Sequence, residues 1–328
     1  MPSADVRWPL PLNRLNPWYP GQMGVPGGWS ETGLRQHCTG AIFYVDPNYP
    51  GVSDQRDGTE PTDPLETVAA ALTKCQAYRG DTIAVMANND WYYGKAADGY
   101  ATGIVEEVTV NVPGVRIVGV SPSGSLGPVW TPASNGGTCV TVSALDVLIE
   151  GFVFTEGDYT GCDAIYCEWD GATLFGENLT VRHCYFDDTV YKAIQLEYSW
   201  YCRLLNNTFM QCDEHGVYVD PAGSGIAYVD IINNHFHDCA VAMALRNADN
   251  CSIHANRIYN GNAEAGAVAT DEGIDTTGGR QNMITENWFS CLLPVPANGD
   301  WDDLNTASAT DAWIGNHCLN GLAITSPT

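Results

Sequence analysis

Leu204-Leu-Asn-Asn-Thr-Phe209 returns as Ile231-Ile-Asn-Asn-His-Phe236, then as Ile253-His-Ala-Asn-Arg-Ile258, Ile284-Thr-Glu-Asn-Trp-Phe289 and Trp313-Ile-Gly-Asn-His-Cys318. Each copy has an apolar residue, an asparagine three positions later and a large or buried-type residue two beyond that. The asparagines Asn207, Asn234, Asn256, Asn287 and Asn316 recur every 22 to 31 residues. The frame extends backwards to Val181-Arg-His-Cys-Tyr-Phe186 and to Leu148-Ile-Glu-Gly-Phe-Val153, with Cys184 or Gly151 replacing the asparagine. A loose period of this length marks a stacked repeat.

The unit is too short for a helix pair with its own core. Between the frames, apolar residues alternate, as in Ile194-Gln-Leu196, Val217-Tyr-Val219 and Met243-Ala-Leu245, and a period of two means strand. Short strands that coil and stack on themselves pair in parallel, and parallel crossovers are right-handed. The fold expected is all-β, a right-handed parallel β-helix with three short sheets along its length. The asparagines predict an inward ladder. An Asn tolerates the left-handed backbone of a fixed bend, and amides stacked about 4.8 Å apart can hydrogen-bond along the axis.

With 45% hydrophobic residues and 34 glycines, the chain reads as folded and rich in turns. Its net charge is −25, with Lys74, Lys95 and Lys192 as the lysines. Such a chain has no basic face for nucleic acid and is repelled by anionic membrane surfaces. No apolar stretch is long enough to span a bilayer. The segment Met1-Pro-Ser-Ala-Asp-Val-Arg-Trp8 lacks the pattern of a signal peptide, so an extracellular site of action would imply release by lysis or assembly into a particle. The twelve cysteines fall at core register. Cys212 and Cys239 lie five residues after a ladder asparagine and Cys202 and Cys251 five before one, which predicts buried free thiols. A bridge between Cys212 and Cys239, in adjacent coils, is the alternative.

Residues 1–40 differ in kind. Trp8, Pro9, Pro11, Pro17, Trp18, Tyr19, Pro20, Pro26 and Trp29 crowd an extended stretch. It reads either as an arm folded back on the solenoid or as a docking arm onto a larger assembly, and the β-helix itself as residues 41–328. In the loop that follows Ala41-Ile-Phe-Tyr-Val45, Asp46, Asp54 and Asp57 are weak candidates for a calcium site, with Asn48 and Glu60 as further oxygen donors. A plain turn-rich loop is the alternative, and no other cofactor is expected. A cap helix over about 63–77 is predicted, with Asp63 as N-cap, Pro64 at the first position and Glu66 completing the capping box. Its apolar stripe is Leu65, Val68, Ala69 and Leu72. Arg79-Gly-Asp81 reads as an adhesion triplet or as an ordinary turn before a strand. Residues 293–312 form a long insertion between the last two coils, either functional or a contact surface.

The run Phe43-Tyr-Val-Asp-Pro47, Asp57-Gly-Thr59, Pro64-Leu-Glu-Thr-Val-Ala-Ala-Ala-Leu72 and Gly80-Asp-Thr-Ile83 resembles the opening of pectin-lyase-like right-handed β-helix proteins, including the phage tailspike and virion type. The resemblance covers about residues 41–325. It implies a helix that caps the open end of the solenoid, and a fold that serves lyases, hydrolases, epimerases, tailspikes and non-catalytic virion proteins alike.

Aligning the first strands of the coils places Tyr166, Gln195, Tyr218, Ala244 and Asp275 in one outward file, with Glu168, Glu197, Asp220, Arg246 and Thr277 in the next. Stacked carboxylates should raise one another's pKa, as a general acid requires, and their spacing brackets the glycosidase range. Glu197, Asp220 and Arg246 are therefore the candidate catalytic residues, and Tyr166, Tyr198, Trp200, Tyr218 and Asp275 the candidate glycan contacts. Arg246 can hold an anionic substrate or neutralise Asp220, and it is the basic residue in reach. His215, His235 and His237 read as structural residues at turns.

Three functions are compatible with these residues. The first is a virion or particle surface β-helix, homotrimeric, mounted on other particle proteins by residues 1–40 and binding a surface glycan. The second is a polysaccharide lyase or glycoside hydrolase with its groove on the first sheet. The third is a cell-surface adhesion module.

Overall fold

The computed structural model describes residues 40–86, 103–120, 127–168, 176–187, 190–197, 199–220, 227–260, 272–276, 279–291, 311–318 and 323–324. The expected arm at 1–40 and the insertion at 293–312 lie essentially outside them, as do Tyr198 and Thr277.

The chain winds into a right-handed parallel β-helix with three long sheets. The first sheet holds strands such as Asp163–Cys167, Lys192–Glu197, His215–Asp220 and Val241–Leu245. The second holds the apolar start of each frame, as in Arg203–Leu205 and Asp230–Ile232. The third holds its end, as in Thr208–Met210 and His235–His237. Every pairing between coils is parallel and in register, with Leu204 beside Ile231 and Phe209 beside Phe236. On the third sheet, Ala323–Ile324 turns back antiparallel onto Asn316–Cys318.

The core consists of files that run the length of the solenoid. Phe154, Phe186, Phe209 and Phe236 stack with ring centroids 5.3, 4.8 and 4.5 Å apart and nearly parallel planes. Each is almost fully buried, which stabilises the fold by about 1.5–3 kcal/mol per ring. The stack corrects the frame in its earliest copy. Ile149 pairs with Val181 and Phe154 with Phe186, so that copy begins at Ile149, not Leu148. Gly151 then matches His183, and Phe152 holds the ladder position.

The asparagine ladder forms as expected. Asn207 Nδ2 donates to Asn234 Oδ1 at 3.0 Å, Asn234 to Asn256 at 3.1 Å, Asn256 to Asn287 at 3.0 Å and Asn287 to Asn316 at 3.0 Å. Each of these Oδ1 atoms also accepts the backbone N–H of the preceding ladder residue, and each Nδ2 reaches a carbonyl such as Leu204 O. The backbone role differs from expectation. The left-handed residues are those just before the ladder: Asn206, Asn233, Ala255, Glu286 and Gly315. The left-handed turn swings the chain so that the next side chain points inward, where the ladder amides are at most 1% exposed.

Cys139, Cys162, Cys167, Cys184, Cys202, Cys212, Cys239 and Cys251 are buried free thiols, and Cys75 is a half-buried one. Cys212 and Cys239 lie against each other, and that contact together with burial holds the Cys212 thiol well above its ordinary range. Val229 separates Cys202 from Cys251 in their file, which passes on to Asn282 and Asp311. There, Asn282 accepts the Cys251 N–H and receives Asp311 as its own acceptor. The sequence reading missed this second, shorter polar file.

The cap helix is shorter than predicted, Val68–Lys74, with Thr67 rather than Asp63 as N-cap. Leu65 explains the difference. It is fully buried and bridges to Val45, exchanging hydrogen bonds with Tyr44 and Asp46, so the helix cannot begin before it. The helix start is held from outside. Asp54 accepts the N–H groups of Glu66 and Thr67, and Glu106 those of Val68 and Ala69. Val68, Ala71 and Leu72 face the core, while Ala69 is exposed.

Candidate functional site

Register builds the site. On the first sheet Tyr166 pairs with Gln195, Gln195 with Tyr218, Tyr218 with Ala244 and Ala244 with Asp275. Glu197 pairs with Asp220, and the pairing of Cys167 with Leu196 puts Glu168 beside Glu197. The register is the expected one, but within the first file Gln195, Ala244 and Asp275 are buried rather than outward, and in the second Arg246 follows the end of its strand.

The files are cross-linked. Tyr166 donates its hydroxyl to Glu197 Oε2 at 2.7 Å, and Gln195 Nε2 donates to Glu197 Oε1 at 2.6 Å. Tyr218 donates to Asp220 Oδ2 at 3.3 Å. Burial, then the Glu197 hydrogen bond and charge, push the Tyr166 hydroxyl far up, so it remains a donor. Burial and the Asp220 charge raise Tyr218 in the same way, against Arg246.

Two cations flank this cluster, where the sequence reading found one. Lys192 Nζ lies 5.3 Å from the Tyr218 ring centre and 3.2 Å from Glu214. The Arg246 guanidinium lies 5.8 Å from the same ring, and its Nε is 3.5 Å from Asp275 Oδ2. Lys192 escaped notice because it opens its strand, ahead of the aligned positions. Its charge also eases ionisation of Asp163, whose carboxyl burial raises on balance.

The remaining candidates separate. Asp275 is 7% exposed and paired with Arg246, so it orients the arginine rather than presenting itself. Trp200 lies at the corner between the first and second sheets, where its carbonyl accepts the Asn178 N–H. His215, His235 and His237 sit in strands, not at turns. Asp81 of the Arg-Gly-Asp triplet is 1% exposed, bonded to Arg79 and to the N–H groups of Ala41 and Gln76. That triplet is an internal turn. Of the calcium candidates, Asp54 caps the helix and Asp46 accepts the Asn48 N–H.

These coils define a right-handed parallel β-helix protein. Residues 147–317, more than half of the chain, match the family described as periplasmic copper-binding protein (NosD), and the chain belongs to that family. Among solved structures it is similar to ORF18 of Geobacillus virus E2, with 13% identity over 88% of this chain and 58% of that one and a TM-score of 0.48. It thus spans little more than half of the viral chain. Pectate lyase Pel9A is 12% identical over 87% of this chain and 79% of that one, with a TM-score of 0.47. The Streptococcus pneumoniae surface protein and adhesin PfbA is 11% identical over 83% and 84%, with a TM-score of 0.41. No curated protein matches the chain.

The family description names copper. Copper sites draw on thiolate, thioether and imidazole ligands gathered at one point. Among the described residues, no group of three or more His, Cys, Asp or Glu converges in this way. Burial pushes the Cys184 and Cys251 thiols up to about 12, away from the thiolate form that a metal needs. The described residues do not fit a copper centre. Among them, too, no helix is long and apolar enough to cross a membrane.

Proposed function

We propose that the protein is a surface β-helix that binds carbohydrate on its first sheet and is mounted on a larger particle through residues 1–40. The observation that carries the reading is the fixed carboxylate of Glu197, held by Tyr166 and Gln195 next to the Tyr218–Asp220 pair. Anchored carboxylates accept hydrogen bonds from sugar hydroxyls without losing side-chain freedom on binding. Lys192 and Arg246 supply donors on either side, so acceptors and donors alternate along the face, as a polyhydroxylated chain requires. The Trp- and Pro-rich stretch at 1–40 supports the mounting role.

A second reading, glycoside hydrolysis, draws on the pairing of Glu197 with Asp220 in adjacent coils. That backbone spacing of about 4.8 Å is close to the separation of about 5–5.5 Å between carboxyl groups in retaining enzymes. Against it, both Glu197 oxygens accept hydrogen bonds, which is the geometry of a fixed acceptor rather than of a proton donor.

Titration with neutral and acidic oligosaccharides, with reducing ends assayed in parallel, tests both readings. Binding without new reducing ends, lost in Glu197→Gln, is expected. Release of reducing ends would favour hydrolysis, and binding indifferent to Glu197→Gln would overturn the site. A chain lacking residues 1–40 should keep saccharide binding and lose its place in the particle fraction of a density gradient.

A further inference from the structure

The second sheet carries a groove of about 360 Å³, lined by Arg116, Arg182 and Arg203 with Leu148 and Thr180, and by one acid, Asp146. That volume falls in the range of about 300–1,000 Å³ usual for ligand sites. Its composition is unexpected. The chain has a net charge of −25 and 14 lysines and arginines in all, yet three arginines meet here.

Register explains the meeting. Arg116 pairs with Leu148, Leu148 with Thr180 and Thr180 with Arg203. Two arginines thus share one outward file three coils apart, roughly 14 Å, with a leucine and a threonine between them. Arg182 stands on the neighbouring file. Its Nη2 lies 2.8 Å from Glu150, a carboxylate 1% exposed, which fixes the guanidinium and neutralises the acid. The Arg182 Nε has no hydrogen-bond partner. Arg203 is exposed and has Asp230 at 3.9 Å, a loose ion pair. At the rim, Asn178 donates to Asp146. Asp146, Asn178, Tyr201 and Tyr228 are successive left-handed corner residues, so the rim continues into two tyrosines. Their rings stack at 5.1 Å with planes 6° apart, and they are 55% and 39% exposed.

We propose that this groove binds an acidic saccharide. Its carboxylate or sulfate groups engage Arg203 and Arg116, and its rings lie over Leu148 and Thr180 beside the Tyr201–Tyr228 ridge. Guanidinium forks match such oxyanions in charge and geometry. The distance between the two arginines suits a chain with repeated anionic groups better than a single small anion. Nucleic acid is disfavoured, because its dense charge would meet the strongly negative remainder of the protein. The site is independent of the first-sheet reading and can stand or fall alone.

The test is calorimetric titration of the full chain with tetragalacturonic acid and with a heparin-derived tetrasaccharide, using maltotetraose and sodium sulfate as controls. Arg203→Gln and Arg116→Gln should each weaken the acidic ligand about tenfold or more, the loss expected for a charged hydrogen bond. Affinity should fall with added salt, and Arg257→Gln, at an exposed arginine on the third sheet outside both sites, should leave it unchanged. Arg182 stays intact in these variants, because removing it would strand the buried Glu150 charge. Failure of both acidic ligands to bind would overturn the proposal, as would wild-type affinity in both arginine variants or binding of maltotetraose that the arginine variants weaken equally. Displacement by an equal concentration of sulfate would overturn the saccharide assignment in favour of a simple anion.

Discussion

Tyr166 and Glu197 sit in adjacent coils and on different outward files, yet the tyrosine hydroxyl reaches the carboxylate at 2.7 Å. This diagonal bond ties two coils together on the proposed binding face and sets the direction in which Glu197 presents its lone pairs.

Tyr166→Phe removes the bond and keeps the ring. Saccharide affinity should fall about tenfold, the worth of one hydrogen bond to a charged group, while the melting temperature moves little because the site is half-exposed. Titration and thermal melts on the same preparation check this. A large drop in melting temperature with affinity intact would mean that the bond serves the fold alone.

The ladder predicts a large stability effect from a small change. Asn234→Ala deprives the Asn207 N–H and Nδ2 of their acceptor and removes the side-chain donor to Asn256 Oδ1, which keeps the backbone N–H of residue 234. Each stranded buried group costs about 1–3 kcal/mol, so urea unfolding should show a loss of about 3 kcal/mol or more. The exposed neighbour Asn233 should be far more tolerant, provided that its replacement accepts a positive φ.

Stability should also depend on pH through histidine. Burial, with help from Arg182, lowers the His183 pKa from 6.5 to about 4. As pH falls through that window the unfolded chain takes up a proton that the folded chain refuses, so stability declines by at most about 3 kcal/mol. Burial also lowers His215 and His235, which adds to the same slope. His183→Asn should flatten the profile without harming the fold, since Asn206 and Asn233 hold the same left-handed corner in the next two coils. Melting temperatures between pH 7 and 4.5 that run parallel in variant and parent would refute the assignment.

The thiols should be inert. Native protein treated with iodoacetamide near pH 8 should keep Cys167, Cys202, Cys212 and Cys239 unmodified, and denaturant should expose all of them. Mass spectrometry distinguishes this from a Cys212–Cys239 disulfide, which would leave both unlabelled even after unfolding.

The sequence disclosed the architecture because the ladder frame repeats locally and carries its own register, from which the Tyr166 and Glu197 files follow by alternation. Where it misled, a distant partner outweighed a good local pattern. Asp63, Pro64 and Glu66 look like a helix start, but Leu65 is claimed by Val45 and Tyr44, and the helix is held by Asp54 and Glu106 from other turns of the chain. Trp200 lies just past its strand, beyond the reach of alternation, so the files could not say where it stands. The arginine groove went unread for a simpler reason. Arg116, Arg182 and Arg203 come from three different coils, and only aligning the residue on each side of the apolar frame position would have stacked them.

The ladder also acts as a ruler. The corner between the second and third sheets has the same short span in successive coils, as in Arg203–Leu205 with Thr208–Met210 and Asp230–Ile232 with His235–His237. The chain between one ladder amide and the next varies from 22 to 31 residues. Every coil is thus measured from its own zero mark. A stretch of chain can be lengthened or recoloured at another corner without resetting the coils on either side, which lets a solenoid of this kind acquire new ligands while its spine stays the same.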